Sequence, residues 1–162
     1  MICSLMIRRG IALWLLAASP VASGEISFTW QIIGDPGNPS MTTIPDGQVN
    51  VAVTVGAMNE EYAITKHEVS NTQYVAFLNA KASQSDPHGL FNPQHASHGL
   101  GGITRSGSGP YTYATKPGRG DHPVNFVSVF DIARFVNWLA NGQGGGDTED
   151  GTYDMNLVPQ IV

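Results

Sequence analysis

The chain spells out the start of a helix twice with the same device, and the long glycine-rich stretch between the two starts limits what can be built around them. In Ser70-Asn71-Thr72-Gln73 a hydroxyl acceptor stands three residues before an amide that reaches back, a reciprocal arrangement that satisfies two N–H groups left orphaned at a helix start. Tyr74, Phe77 and Leu78 then share one face at helical spacing, with Lys81 continuing the row. This predicts a helix over 70–82, stopped before Ser85-Asp86-Pro87. Ser128 and Asp131 repeat the device, and Ile132, Phe135, Val136 and Leu139 follow at i, i+3, i+4 and i+7. Asp131 suits the positive end of the helix dipole and Gly142 suits a left-handed C-terminal cap. The second helix is expected over 128–141. From His88 to Gly120 there is little regular pattern, and glycines at 99, 101, 102, 107, 109, 118 and 120 punctuate the run. A stretch this long without regular structure is expected to be functional or mobile.

The remaining pattern is β. Ile26, Phe28, Trp30 and Ile32 alternate with polar residues, which reads as a half-buried strand, and the turn-forming residues 34–39 end it. Val49, Val51, Val53 and Val55 alternate again, and Asn59-Glu60-Glu61 is expected to turn this strand back onto 62–69 as an antiparallel hairpin. Ile103-Thr104-Arg105 and Tyr111-Thr112-Tyr113 read as short strands flanking a Gly-Ser-Gly-Pro turn, and residues 153–158 as the start of another. The class is therefore α+β, irregular and loop-rich. Tyr74, Phe77, Leu78, Phe126, Phe135, Val136, Trp138 and Leu139 are the expected core.

Residues 1–24 read as an address. Arg8 and Arg9 precede the apolar run from Ile11 to Ala18, and small residues around Ala22 follow, the three parts of a secretory signal peptide. The run falls short of the ~20 apolar residues a membrane span needs. Cleavage is expected between about Ala22 and Glu25, so contact with a membrane comes solely through an uncleaved leader. The expected location is secreted, periplasmic or cell-surface. Residues 25–162 are enough for one domain. The single cysteine, Cys3, lies in the leader, so the mature chain carries neither disulfide nor thiolate ligand. Charged residues make up 13% and the formal net charge is −5, which argues against a nucleic-acid surface built on Lys/Arg clusters.

Three blocks in order carry a resemblance: Lys66-His67-Glu68-Val69-Ser70-Asn71-Thr72-Gln73-Tyr74, then Pro123-Val124 leading to Asn137-Trp138-Leu139, then Thr148-Glu149-Asp150-Gly151. This order resembles the N-terminal portion of the formylglycine-generating enzyme family, the sulfatase-modifying factor domains. The resemblance implies an irregular α+β fold related in places to C-type lectins. It implies two enzymatic branches, one oxidising a sulfatase cysteine with a copper-binding cysteine pair, the other forming C–S bonds at a non-haem iron held by histidines. In the first branch the cysteine pair follows a Leu-Pro-Thr-Glu-type motif, and this sequence has neither. Copper(I) prefers soft sulfur ligands, which excludes that chemistry for these residues alone. Residues 156–162 close no element, so the domain is expected to be incomplete at its C-terminus and inactive by itself.

For the iron branch the candidates are His88, His95 and His98, with Asp86 nearby, because two histidines and a carboxylate make such a site. Their spacing departs from the family's, and solvated loop residues are the favoured reading. Asp147, Glu149 and Asp150 are candidate calcium ligands, though a hard cation wants about six to eight oxygens and a solvated turn explains them equally. His67, Glu68 and His122 are expected at strand ends beside the core in structural hydrogen bonds. Trp138 reads as core. No catalytic, cofactor-binding or metal residue is assigned and no cofactor is expected. The alternative function is a non-catalytic extracellular module whose 88–120 loops, with Tyr111 and Tyr113, bind an unknown protein or carbohydrate partner.

Overall fold

The computed structural model describes residues 6–8, 25–43 and 52–157. Most of the leader, Cys3, Val49, Val51 and the last five residues lie outside the described residues. The chain divides into two compact units.

The smaller unit includes the described residues 6–8, 28–43 and 52–66. Its sheet runs β1–β5–β2, with β1 Met6–Arg8, β2 Trp30–Ile33 and β5 Tyr62–Thr65. Both neighbours of β5 are antiparallel: Ile7 opposes Ala63 on one side and Ile32 opposes it on the other. A strand from the region read as leader thus occupies one edge of β5. The second sheet pairs β3 Met41–Thr43 with β4 Val53–Val55, and the Thr42 and Thr54 hydroxyls meet across it at 3.2 Å.

This corrects the expected hairpin, since β4 turns back on β3 and not on β5. The reason lies in the 34–39 turn, which does more than end a strand. Gly37 N–H donates to the Met58 carbonyl, and the Asn38 amide donates to the Gly56 carbonyl while accepting from Met58 N–H. The residues leaving β4 are thereby bound to that turn, and β5 is left to pair with β2. The alternation through Trp30 and Ile32 is real, but their side chains stay 38% and 42% exposed where a half-buried strand was expected.

The larger unit includes the described residues 25–27 and 67–157. Helices α1 Asn71–Lys81 and α3 Val129–Ala140 both start with the expected capping box, from Ser70 with Gln73 and from Ser128 with Asp131. They meet through rings. Phe77 lies 5.5 Å from Tyr74, 5.4 Å from Phe135 and 5.4 Å from Trp138, measured between centroids, within the range of favourable aromatic pairs. Tyr74, Phe77, Leu78, Phe135 and Trp138 are buried as expected, whereas Phe126, Val136 and Leu139 are half-buried. Phe126 sits at φ +59°, a left-handed conformation outside regular structure, so helical or strand periodicity does not apply to it. Gly142 takes the expected left-handed value, φ +81°.

The 88–120 stretch is built rather than open. It contains the short helix α2 Gln94–Ser97 and the expected hairpin, β6 Ile103–Ser106 with β7 Thr112–Thr115. Leu90, Phe91, Ile103 and Tyr113 are buried in it. Residues 153–157 form turns where a strand was expected, with Met155 buried at 2% exposure.

Candidate functional site

Side-chain amides hold the loops of the larger unit. Asn79 on α1 donates to the Tyr113 carbonyl at 2.9 Å and accepts from its N–H at 3.0 Å. Asn137 on α3 does the same to Tyr153, at 2.7 and 2.8 Å, and also donates to the Thr148 carbonyl. Gln143 binds Ile26 at both its N–H and its carbonyl. Each amide thus stands in for a neighbouring strand, satisfying backbone groups that no sheet reaches. Asn71 donates to the carbonyls of Arg119 and His122, and Asn125 to that of Leu100. The cations Lys116 and Arg119 likewise end on the carbonyls of His98 and Gly99.

The loop packs closely against its surroundings at Gly101 and Gly102. A Cβ on Gly101 would overlap the His95 carbonyl, and one on Gly102 would overlap the Asn71 amide. We expect Gly102→Ala to destabilise the protein by about 1–3 kcal/mol, an overpacking cost, measurable as a lower urea midpoint.

The three candidate histidines do not converge. His95 is fully buried, its ring edge-on to Tyr74 and Phe91, which corrects the solvated reading. Its Nε2 lies 2.7 Å from the Asn125 carbonyl. A carbonyl only accepts, so Nε2 carries the proton and Nδ1 is the bare nitrogen, buried without a hydrogen-bond partner. His98 is exposed, accepts from Leu100 N–H at Nδ1 and stacks edge-on to Phe126. His88 lies on the turn closed by Asp86, whose two oxygens accept from the N–H groups of Leu90 and Phe91. Among the described residues no group of three or more His, Cys, Asp or Glu side chains is placed to hold a metal.

Burial holds the His95 pKa below its ordinary value, against the pull of the Asn125 carbonyl. A base with a lowered folded pKa stays neutral in the native state while the unfolded chain takes up a proton. Stability is therefore constant above the unfolded value near 6.5 and falls as pH drops below it, by up to ~1.4 kcal/mol per pH unit, until the folded pKa is reached. Urea midpoints between pH 8 and 5 should show this arm, and His95→Gln should flatten it.

What the fold does assemble is one member of the iron candidate set with one of the calcium set. His88 Nε2 lies 3.5 Å from Glu149 Oε1. Arg134 grips the same carboxylate with Nε and Nη2 at 2.7 and 2.8 Å, and the Thr148 hydroxyl adds a third donor. Arg134 is 8% exposed, so Glu149 is the counter-charge of a buried guanidinium. The hydrogen bonds from Arg134 come first in holding Glu149 below its usual pKa, with burial opposing. That contribution is present above the unfolded carboxylate range and is lost as pH falls through the folded value. The half-exposed imidazole of His88 is thereby held beside the Glu149 carboxylate, an arrangement able to bind a polar ligand.

Asp147 and Asp150 each close a turn through one carboxylate oxygen. One accepts from Glu149 N–H and the other from Gly151 N–H, as in a solvated turn. His67 and His122 are exposed and Glu68 is half-buried, so the expectation that they lie beside the core fails for both histidines. His122 contributes its backbone carbonyl, which receives Asn71. Tyr113 is buried and Tyr111 is partly covered, because the Arg105 guanidinium lies 4.8 Å from both the Phe91 and Tyr111 rings. The pair is not an open aromatic platform.

The roles of Asn71, Asn79, Asn137, Gln143 and Arg134 are not marked by any motif in the sequence. One signal was present: Asn71 stands three residues before Tyr74 and Asn137 adjoins Trp138, so both amides lie close to an apolar face where an unpaired one is costly. A family model described as the sulfatase-modifying factor enzyme 1-like domain matches residues 28–157. No curated protein and no solved structure matches the chain.

Proposed function

The chain belongs to the sulfatase-modifying factor enzyme 1-like domain family, and on that premise we propose that it is an exported domain of the family that does not by itself oxidise cysteine to formylglycine. One observation carries this reading: the single cysteine, Cys3, falls in the leader. The copper centre implied by the resemblance requires thiolates that bind the metal and face the substrate thiol. The residues present do not fit it. Their remaining sulfur is thioether, and Met155 is buried at 2% exposure while Met41 is 64% exposed in the other unit. The histidine set does not fit iron either, since His95 is buried and hydrogen-bonded to Asn125, while His88 is bound to Glu149. Purified chain incubated with a sulfatase-motif peptide, copper and oxygen should give no aldehyde mass change above a protein-free control. Aldehyde formation would overturn the reading.

Export is supported by the leader's basic, apolar and small-residue order. Mass spectrometry of the product from an exporting host should find an N-terminus between Ala22 and Glu25, and an intact Met1 on membrane-bound product would count against it.

The second reading, a binding module for carbohydrate or protein, is favoured by Arg105. Arg105 is exposed on β6 and its guanidinium lies over the Phe91 and Tyr111 rings, so it has little freedom left to lose on binding an anion. Chemical-shift changes confined to residues 103–115 on adding acidic oligosaccharides, absent in Arg105→Ala, would favour it over the first.

A further inference from the structure

We propose that removal of the leader exposes the edge of β5, and that a second copy of the processed chain takes the leader's place there, joining two sheets as β2–β5–β5–β2. The inference rests on the export reading. In the structure β5 is the central strand, with Met6–Arg8 on one side and Trp30–Ile33 on the other. Cleavage near Glu25 removes β1, and the N–H and C=O groups it satisfied become an open edge, a template for another strand.

Symmetry restricts the register. A two-fold axis perpendicular to a sheet keeps every side chain on its own face, so a residue pairs with one of the same parity, and the axis passes between two copies of one residue. Centred on Ala63, the ladder sets Tyr62 against Ile64 of the other copy and Glu60 against its Lys66, twice by symmetry. Glu60 and Lys66 are both exposed, and Lys66 N–H already continues the ladder by donating to the Thr29 carbonyl. The small side chain at the axis leaves Ile32 and Ala63 of each copy in one row across the joined sheet. Centring on Ile64 instead would oppose Glu60 to Glu68, a like-charge pair. The Ala63-centred register is the one the charges select.

The test compares the processed chain with the leader-bearing chain. Product recovered from an exporting host, its N-terminus read by mass spectrometry, is compared by light scattering and analytical ultracentrifugation with a variant whose cleavage site is blocked. The processed chain should be dimeric and the leader-bearing chain monomeric. Glu60→Lys and Lys66→Glu should each weaken the dimer about tenfold, as expected when two symmetric surface pairs change from attraction to repulsion. The double reversal should restore it. A processed chain that stays monomeric overturns the proposal, as does a dimer indifferent to the charge reversals. An unprocessed N-terminus overturns the export reading alone. The leader is then removed at a protease site placed before Glu25, and the same two measurements decide the fate of the edge.

Discussion

Phe135→Ala is expected to lower the unfolding free energy by about 3–5 kcal/mol, the usual range for emptying a buried aromatic site. Phe135 is 2% exposed and touches Tyr74, Phe77 and Trp138, with centroids 6.0, 5.4 and 5.8 Å away. It is therefore part of the seam by which α3 meets α1, and both helices are short enough to depend on that seam rather than on their own propensity. Such a loss is a large share of the roughly 5–15 kcal/mol that a folded domain holds. Denaturant unfolding followed by tryptophan fluorescence reads it directly, because Trp138 lies in the same cluster. An unchanged midpoint would mean that the two helices do not share a core.

Asn137→Ala should cost a comparable amount, about 3–5 kcal/mol, through a different mechanism. The side chain is fully buried and serves the Thr148 carbonyl and both backbone groups of Tyr153. Alanine leaves the buried Thr148 carbonyl and the part-buried Tyr153 groups without this partner, and a buried polar group stripped in this way costs about 1–3 kcal/mol, less where water reaches it. The damage should also be local before it is global. Amide exchange at Tyr153 and at Met155, whose N–H donates to the Glu149 carbonyl, should accelerate more than exchange in α1. Asn137→Asp offers a sharper contrast, since it keeps the acceptor for Tyr153 N–H and replaces the donors with a second acceptor. It should be as damaging at neutral pH and partly recover as the introduced carboxyl is protonated.

The two acid transitions separate on the same reasoning. His95 weakens the fold as pH falls below about 6.5, whereas the Arg134–Glu149 pair holds until the carboxylate itself titrates, at a value lowered by that pairing. Glu149→Gln should remove the second arm and leave the first.

Contacts closed within a few residues could be read from the chain alone. Both capping boxes were legible because Ser70 with Gln73, and Ser128 with Asp131, interact across a single turn. The β6–β7 hairpin was legible because its turn lies between its strands. The ring positions on α1 followed from helical period, and the order of blocks from Lys66 to Gly151 was enough to place the chain in its family. Tertiary structure alone decided the contacts whose partners are far apart in the chain. Asn38 bound the residues after β4 to an earlier turn and so gave β5 to β2, a choice that alternation cannot make because every strand in it alternates alike. The amides of Asn79 and Asn137 found backbone groups in other loops, and nothing in an asparagine's neighbours says which carbonyl it will meet. His95 was buried and His88 was brought to Glu149 for the same reason: a histidine on a loop has no period, so its environment is fixed by what the rest of the chain packs against it.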